Sequence, residues 1–237
     1  MAVNPLASAV RHQLDIGRVL PLGGPADGSW ITERAAVAAL RAAVGAPAGA
    51  RLGALRLAVA DPGGTPEPAV PPPPSALPPG PLRLTADFAA PADRPLPDTA
   101  DRLRAALLEA SDRELGLVVG PVDLRVSGLL EAAGLPAAPA PPETGGASAG
   151  RTESPQDGPE RIAAVARGVP GVARLAPALG GRARPVRLHD GHALIQLATA
   201  PGHRALDVAR AVRAAVAAAP PAPESVAVLV TAVGTHA

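Results

Sequence analysis

The chain has 237 residues, room for one or two domains with a modest core each, and no cysteine, which excludes disulfides, thiolate metal sites and a cysteine nucleophile. Aromatics are nearly absent (Trp30, Phe88, no Tyr), so a core must be built from Ala, Val and Leu. All 22 basic side chains are Arg, and the net charge of +1 hides a split: residues 28–131 carry 10 Arg against 12 acids, net −2, and residues 160–237 carry 9 Arg against 4 acids, net +5. That second half reads first as a plain solvated basic face, with an acidic partner, an anionic membrane surface or the first half itself as the alternative it could favour. No basic-then-apolar leader opens the chain and no apolar run approaches the ~20 residues needed to span a bilayer. A cytoplasmic protein with no direct membrane span is expected.

Residues 1–27 read as an arm packed on a first module, with a weak stripe of Leu6, Val10 and Leu14 predicting a short helix over Leu6 to Ile16. The first module spans 28–131. Thr32 suits a helix N-cap, Val37, Leu40 and Val44 give the buried stripe, and Gly45 ends the helix. Leu55, Leu57 and Val59 alternate as a strand. Residues 61–81, with the run Pro71 to Pro74, read as a stiff, extended insertion and a solvated spacer. Leu82, Leu84, Ala86 and Phe88 alternate as a second strand. Asp98 is placed as the cap of a helix buried through Leu103, Leu107, Ala110 and Leu115. Val122, Leu124 and Val126 mark a third strand. Arg56, Arg83, Asp87, Asp123 and Arg125 fall on the open face, where opposite charges can pair across strands.

Residues 132–159 have almost nothing to bury and read as a disordered linker. The second module, 160–237, opens with a helix striped by Ile162, Val165, Ala166 and Val169 and stopped at Pro170-Gly171; Val172 to Leu179 then offers a strand that Pro177 interrupts. Asp190-Gly191 is the pair a type I′ hairpin asks for, because both central residues need φ > 0. The implied register sets His189 opposite His192, Arg187 opposite Leu194 and Val186 opposite Ile195. Val208, Val212 and Val216 stripe the next helix, with Leu206 and Ala209 beside them, and Pro220, Pro221 and Pro223 end it. Val226, Val228 and Val230 form the last strand, parallel to the one before the helix. The fold expected is α+β: two tandem helix-strand-strand-helix-strand modules, each a three-stranded mixed sheet with helices on one face.

Ile162-Ala-Ala-Val-Ala-Arg-Gly-Val-Pro-Gly-Val172, then a hairpin, an Ala/Val/Arg helix and a Val-rich strand, resembles the alkaline shock protein family of Gram-positive bacteria. The first module is similar more distantly, keeping Ile31-Thr32-Glu33 at the helix start and lacking the Val-Pro-Gly-Val junction. The stretch QLDIGRVLPLGGPADGSWITERAAVAALR also resembles proteins of high-GC bacteria that carry a nucleopolyhedrovirus label, although nothing here looks like a fibrous repeat. The alkaline shock resemblance implies a non-enzymatic, cytoplasmic protein of envelope stress, held near the membrane by an anchored protein partner or by self-association. It transfers no catalytic residue, cofactor or metal.

The residues themselves agree with that expectation. His189 and His192 could share one metal ion but lack a third ligand nearby, and a turn on the wet face is the expected reading of the pair. No Ser stands in a G-x-S-x-G elbow, and no Gly-rich turn joins a strand to a helix as a phosphate loop would. Nucleic acid would want stacking aromatics, which the second module lacks. Arg187, His189, His192, Leu194, Ala227 and Leu229 share the face away from the helices, and so form a candidate interaction face for the first half or another chain. A regulatory module binding a small ligand between the halves is the alternative function.

Overall fold

A computed structural model describes residues 17–44, 50–130, 158–178 and 184–234. The expected helix over Leu6 to Ile16, the Gly45 stop and residues 132–157 of the linker lie outside these segments. Within them the chain forms four α-helices and nine strands, an α+β fold.

The first half opens with two short strands, β1 (Val19–Pro21) and β2 (Ser29–Thr32), and then α1 (Glu33–Val44). Thr32 caps α1 as expected: its Oγ1 accepts from the Ala35 N–H at 3.3 Å. The buried side of α1 is Ala35, Ala36, Ala39, Leu40 and Val44, with Val37 only partly covered. β3 (Arg51–Val59), β4 (Leu82–Pro91), α2 (Leu96–Ala110) and β5 (Val119–Leu130) come next. β3 runs antiparallel to β4, and β4 parallel to β5. Leu82, Leu84, Ala86 and Phe88 are all buried, so the period-2 reading of β4 holds. α2 starts earlier than expected, and Asp98 is not its cap. Pro95 takes the N-cap position and Pro97 the first turn, where a missing N–H is harmless; Asp98 sits in that turn and favours the helix dipole.

The second half contains α3 (Gly158–Arg167), β6 (Val172–Leu175), β7 (Val186–His189), β8 (His192–Thr199), α4 (Ala205–Ala217) and β9 (Ser225–Val233). The β7–β8 register matches the turn chemistry: His189 pairs with His192, Arg187 with Leu194 and Val186 with Ile195. Asp190 and Gly191 both have positive φ, 46° and 77°. β6 and β7 lie end to end against one edge of β8, both antiparallel to it, and β8 runs parallel to β9. Together they stand where β3 stands in the first half. The order helix, strand, strand, helix, strand therefore recurs with the same strand directions.

The second sheet is larger than the expected three strands. Its order is β1-β2-β9-β8-β6, with β7 also on β8, because β2 pairs parallel with β9. β1 and β2 form a hairpin not expected from the sequence, which places their residues in the arm and at the opening of the first module; they close the outer edge of the second sheet instead. An open edge of N–H and C=O groups is thereby satisfied, and Ile31 and Trp30 are buried on opposite faces at 0% and 1% exposure. α1, continuous with β2, lies against both β9 and β3, and one core runs from Leu20 to Val230 through both halves. Helices cover one face of this sheet: Val208, Val212 and Val216 of α4 are all buried there.

The other face is covered too, by the proline-rich insertion. The Ala69 N–H donates to the Pro25 carbonyl at 3.0 Å, and the Leu77 N–H to that of Val19 at 2.8 Å. Between those anchors Val70 is buried in a cluster with Val19, Trp30, Ala178, Ala227 and Leu229. Residues 69–77 are thus a lid on the sheet and not a solvated spacer, while residues 61–67 of the insertion are mostly exposed. Leu229, Ala227 and Trp30 leave that side apolar, and burying them is the driving force. Pro73, Pro74 and Ser75 turn the lid back on itself: the Ala76 N–H donates to the Pro73 carbonyl at 3.1 Å, with Ser75 at φ 62°.

Candidate functional site

The lid stops short of the hairpin end of the second sheet, and a groove of about 510 Å³ remains there. The strand registers build its floor. One row across the sheet is His189, His192 and Ser225; the next is Arg187, Leu194 and Ala227; the one beyond is Gln196, Leu229 and Trp30. The first two rows line the groove, and Pro71 to Pro74 form its opposite wall. The third row is sealed, with Gln196 and Leu229 at 0% exposure.

Of the six residues placed on an interaction face from the sequence, Arg187 and His189 are exposed and His192 and Leu194 half-buried along this groove. Ala227 is buried at its floor, and Leu229 lies under the lid. Alternation along the strands is sufficient to group them. The proline wall and Ser225 are not legible as parts of the same site, because they come from a distant insertion and from the first residue of β9. The only local signal for the lid is a valine and a leucine, Val70 and Leu77, embedded in its prolines.

Polar chemistry gathers at the hairpin end. His192 Nδ1 lies 2.7 Å from Ser225 Oγ, and His189 Nε2 lies 3.2 Å from Asp190 Oδ2 with both side chains well exposed. A histidine beside a serine is half of a nucleophile–base arrangement. Among the described residues no carboxylate is hydrogen-bonded to the other ring nitrogen of His192, and no group of three His, Asp or Glu side chains could hold a metal. The groove has a polar mouth, an apolar floor and a stiff wall whose prolines have no N–H donors.

A second hollow, about 370 Å³, lies where the halves meet, between Gly23, Gly116, Leu117 and Leu206. Its guanidinium groups are engaged. Arg204 pairs with Asp112 at 2.6 Å, and Arg210 with Asp27 at 2.8 Å; outside the lining, Arg213 donates to the carbonyls of Ala26 and Asp27. The Arg210 guanidinium, donating to its carboxylate, holds Asp27 below the usual carboxylate range; the Gly24 N–H and Arg213 add to this, and burial works against it. Part of the positive charge of the second half is therefore spent on the first. Gly116 makes the close approach possible: at φ 80° a side chain is disfavoured, and a Cβ would lie 2.5 Å from that of Leu206.

Among the described residues no helix is long and apolar enough to cross a membrane. No family model matches the sequence, and neither a curated protein nor a solved structure matches it.

Proposed function

We propose that this chain is a non-enzymatic interaction protein of the alkaline shock type, a structural component of the envelope-stress response that receives a segment of a protein partner in the groove beside Pro71–Pro74. The observation that carries this reading is the groove: five of the six residues grouped by sequence as an interaction face line it, with Ala227 at its floor. A wall of prolines is stiff because each ring fixes its own backbone, so a chain lying along it meets a surface that loses little entropy on binding. The net +5 of residues 160–237 and the imidazoles at the mouth favour an acidic segment. Anchoring of that partner in the membrane would place the protein at the envelope without a span of its own.

The test is a pull-down from the native cell with membrane fractionation, using the intact chain and Leu194→Arg. A partner that sediments with membranes, held by the intact chain and lost by the variant, supports the proposal. Identical proteins recovered by both refute the groove, and a partnerless protein absent from the membrane fraction refutes the envelope role. The groove volume also falls in the range of small-molecule sites, roughly 300–1,000 Å³, which favours a second reading as a ligand-binding regulatory module. A concentration-dependent rise in melting temperature with a metabolite, abolished by Leu194→Arg, would decide for it.

A further inference from the structure

The two copies of the repeated unit differ at one edge. In the second sheet the outer side of β9 is closed by β2. β5 is the equivalent strand of the first sheet, and among the described residues nothing pairs with its outer side. It is twelve residues long, with Val126 at 43% and Leu129 at 62% exposure. Natural edges of this length are usually shortened, charged or covered, and an uncovered one is a template for another strand.

The sequence of β5 limits what that strand can be. Its ladder with β4 is irregular on both sides of Val122–Val126, since the register shifts before Val122 and after Val126. Pro121, without an N–H, lies just outside the regular window. Leu124 is the centre of that window. An antiparallel strand pairing about Leu124 with a copy of itself sets Leu124 against Leu124, Val122 against Val126, and Asp123 against Arg125. Residues directly opposite point to the same face. On the inner face apolar meets apolar, and Val126 gains a cover. On the outer face two opposite-charge pairs form. Asp123 already receives Arg83 at 2.7 Å on one oxygen, leaving the other for Arg125 of a second chain. Arg125 has no ion-pair partner among the described residues.

We propose that this edge is a self-association surface: two copies of the chain join antiparallel at β5 about a two-fold axis through Leu124, fusing their three-stranded sheets into one of six. A two-fold contact must be self-complementary, and Val122-Asp123-Leu124-Arg125-Val126 is so in both polarity and charge. Five residues of pairing make a small interface, so the association is weak, reversible and dependent on concentration and salt.

The experiment is sedimentation velocity of the full chain over a concentration series, with Asp123→Arg and Arg125→Asp made singly. Both positions are exposed, so neither touches the core; Asp123→Arg also loses its exposed pair with Arg83, worth at most about 1 kcal/mol, and thermal unfolding at a concentration where the protein is monomeric should show each variant folded and within about that margin of the parent. The intact chain is expected to dimerise. Each single variant places like charges opposite each other twice and should weaken self-association by about tenfold, or ~1.4 kcal/mol. An equimolar mixture of the two restores both ion pairs in a heterodimer and should associate as tightly as the intact chain. Leu194→Arg, in the groove, should leave the dimer unchanged. A monomer at every concentration overturns the proposal. So does a dimer indifferent to both charge reversals, or a mixture that fails to recover.

Discussion

Replacing Val70 by alanine separates a docked lid from a solvated spacer, because the two differ only in whether that side chain has neighbours. Val70 is 8% exposed, and its Cγ2 lies 2.7 Å from where a Cβ on Gly28 would stand, so it fills the corner between the β1–β2 hairpin and Trp30. Alanine removes two methyl-sized groups. At ~0.8 kcal/mol each the transfer loss is about 1.6 kcal/mol. The corner is walled by Trp30 and Leu229 and collapses only in part, which brings the expected total to about 2 kcal/mol. For a chain of this size that lowers the melting temperature by roughly 4–8 °C. Glu67→Ala, exposed in the same insertion, is the control and should stay within about 0.5 kcal/mol of the parent. Urea unfolding followed by far-UV circular dichroism, with Trp30 fluorescence as a second probe, measures both. Equal stability of the two variants would refute the docked lid and leave the groove without its wall.

Three further outcomes are expected. Ser75→Gly should stabilise by about 0.5 kcal/mol in urea, since glycine removes the left-handed strain at φ 62° and gives back part of the gain as unfolded-state entropy; a loss of stability would count against the lid's turn. Gly171→Ala should destabilise by about 2 kcal/mol or more by thermal unfolding, because φ is +87° and the new methyl would lie 2.6 Å from Val208 Cγ2. This close approach to α4 explains why the Val-Pro-Gly-Val junction contains a glycine. Asp27→Asn should be less stable by about 1 kcal/mol at neutral pH, a modest figure because Arg210 is half exposed. The folded-state pKa of Asp27 is depressed, so the pair contributes above the usual value of 3.8 and is lost as pH falls through the lower folded value. Urea titrations of both proteins should converge in acid; a difference that persists there would show that the charge is not what matters.

The readings that hold rest on neighbours close in sequence. Asp190-Gly191 determines a hairpin because the turn's own backbone demands it, and the opposing residues are found by counting outward. Val208, Val212 and Val216 determine the buried side of α4 because one helical turn sets their direction, whatever lies beneath. The cap of α2 differs from expectation for an equally local reason: Asp98 with Asp101 three residues on suits a capping box, but Pro95 and Pro97 start the helix before them. Alternation also groups Arg187, His189, His192, Leu194, Ala227 and Leu229 on one face.

What covers that face is beyond the sequence. Trp30 pairs with Leu229 across some 200 residues, and Val70 reaches both from a loop that belongs to the other half. Neither contact has a pattern of its own, because an apolar side chain in a strand or among prolines states only that it will be buried, not by what. The union of the halves through α1, the wall of the groove and the uncovered side of β5 are decided by the path of the chain in space. Backbone preference acts over a few residues and is written in the letters; the partner of a buried surface is chosen by which distant segment the folded chain brings within van der Waals reach.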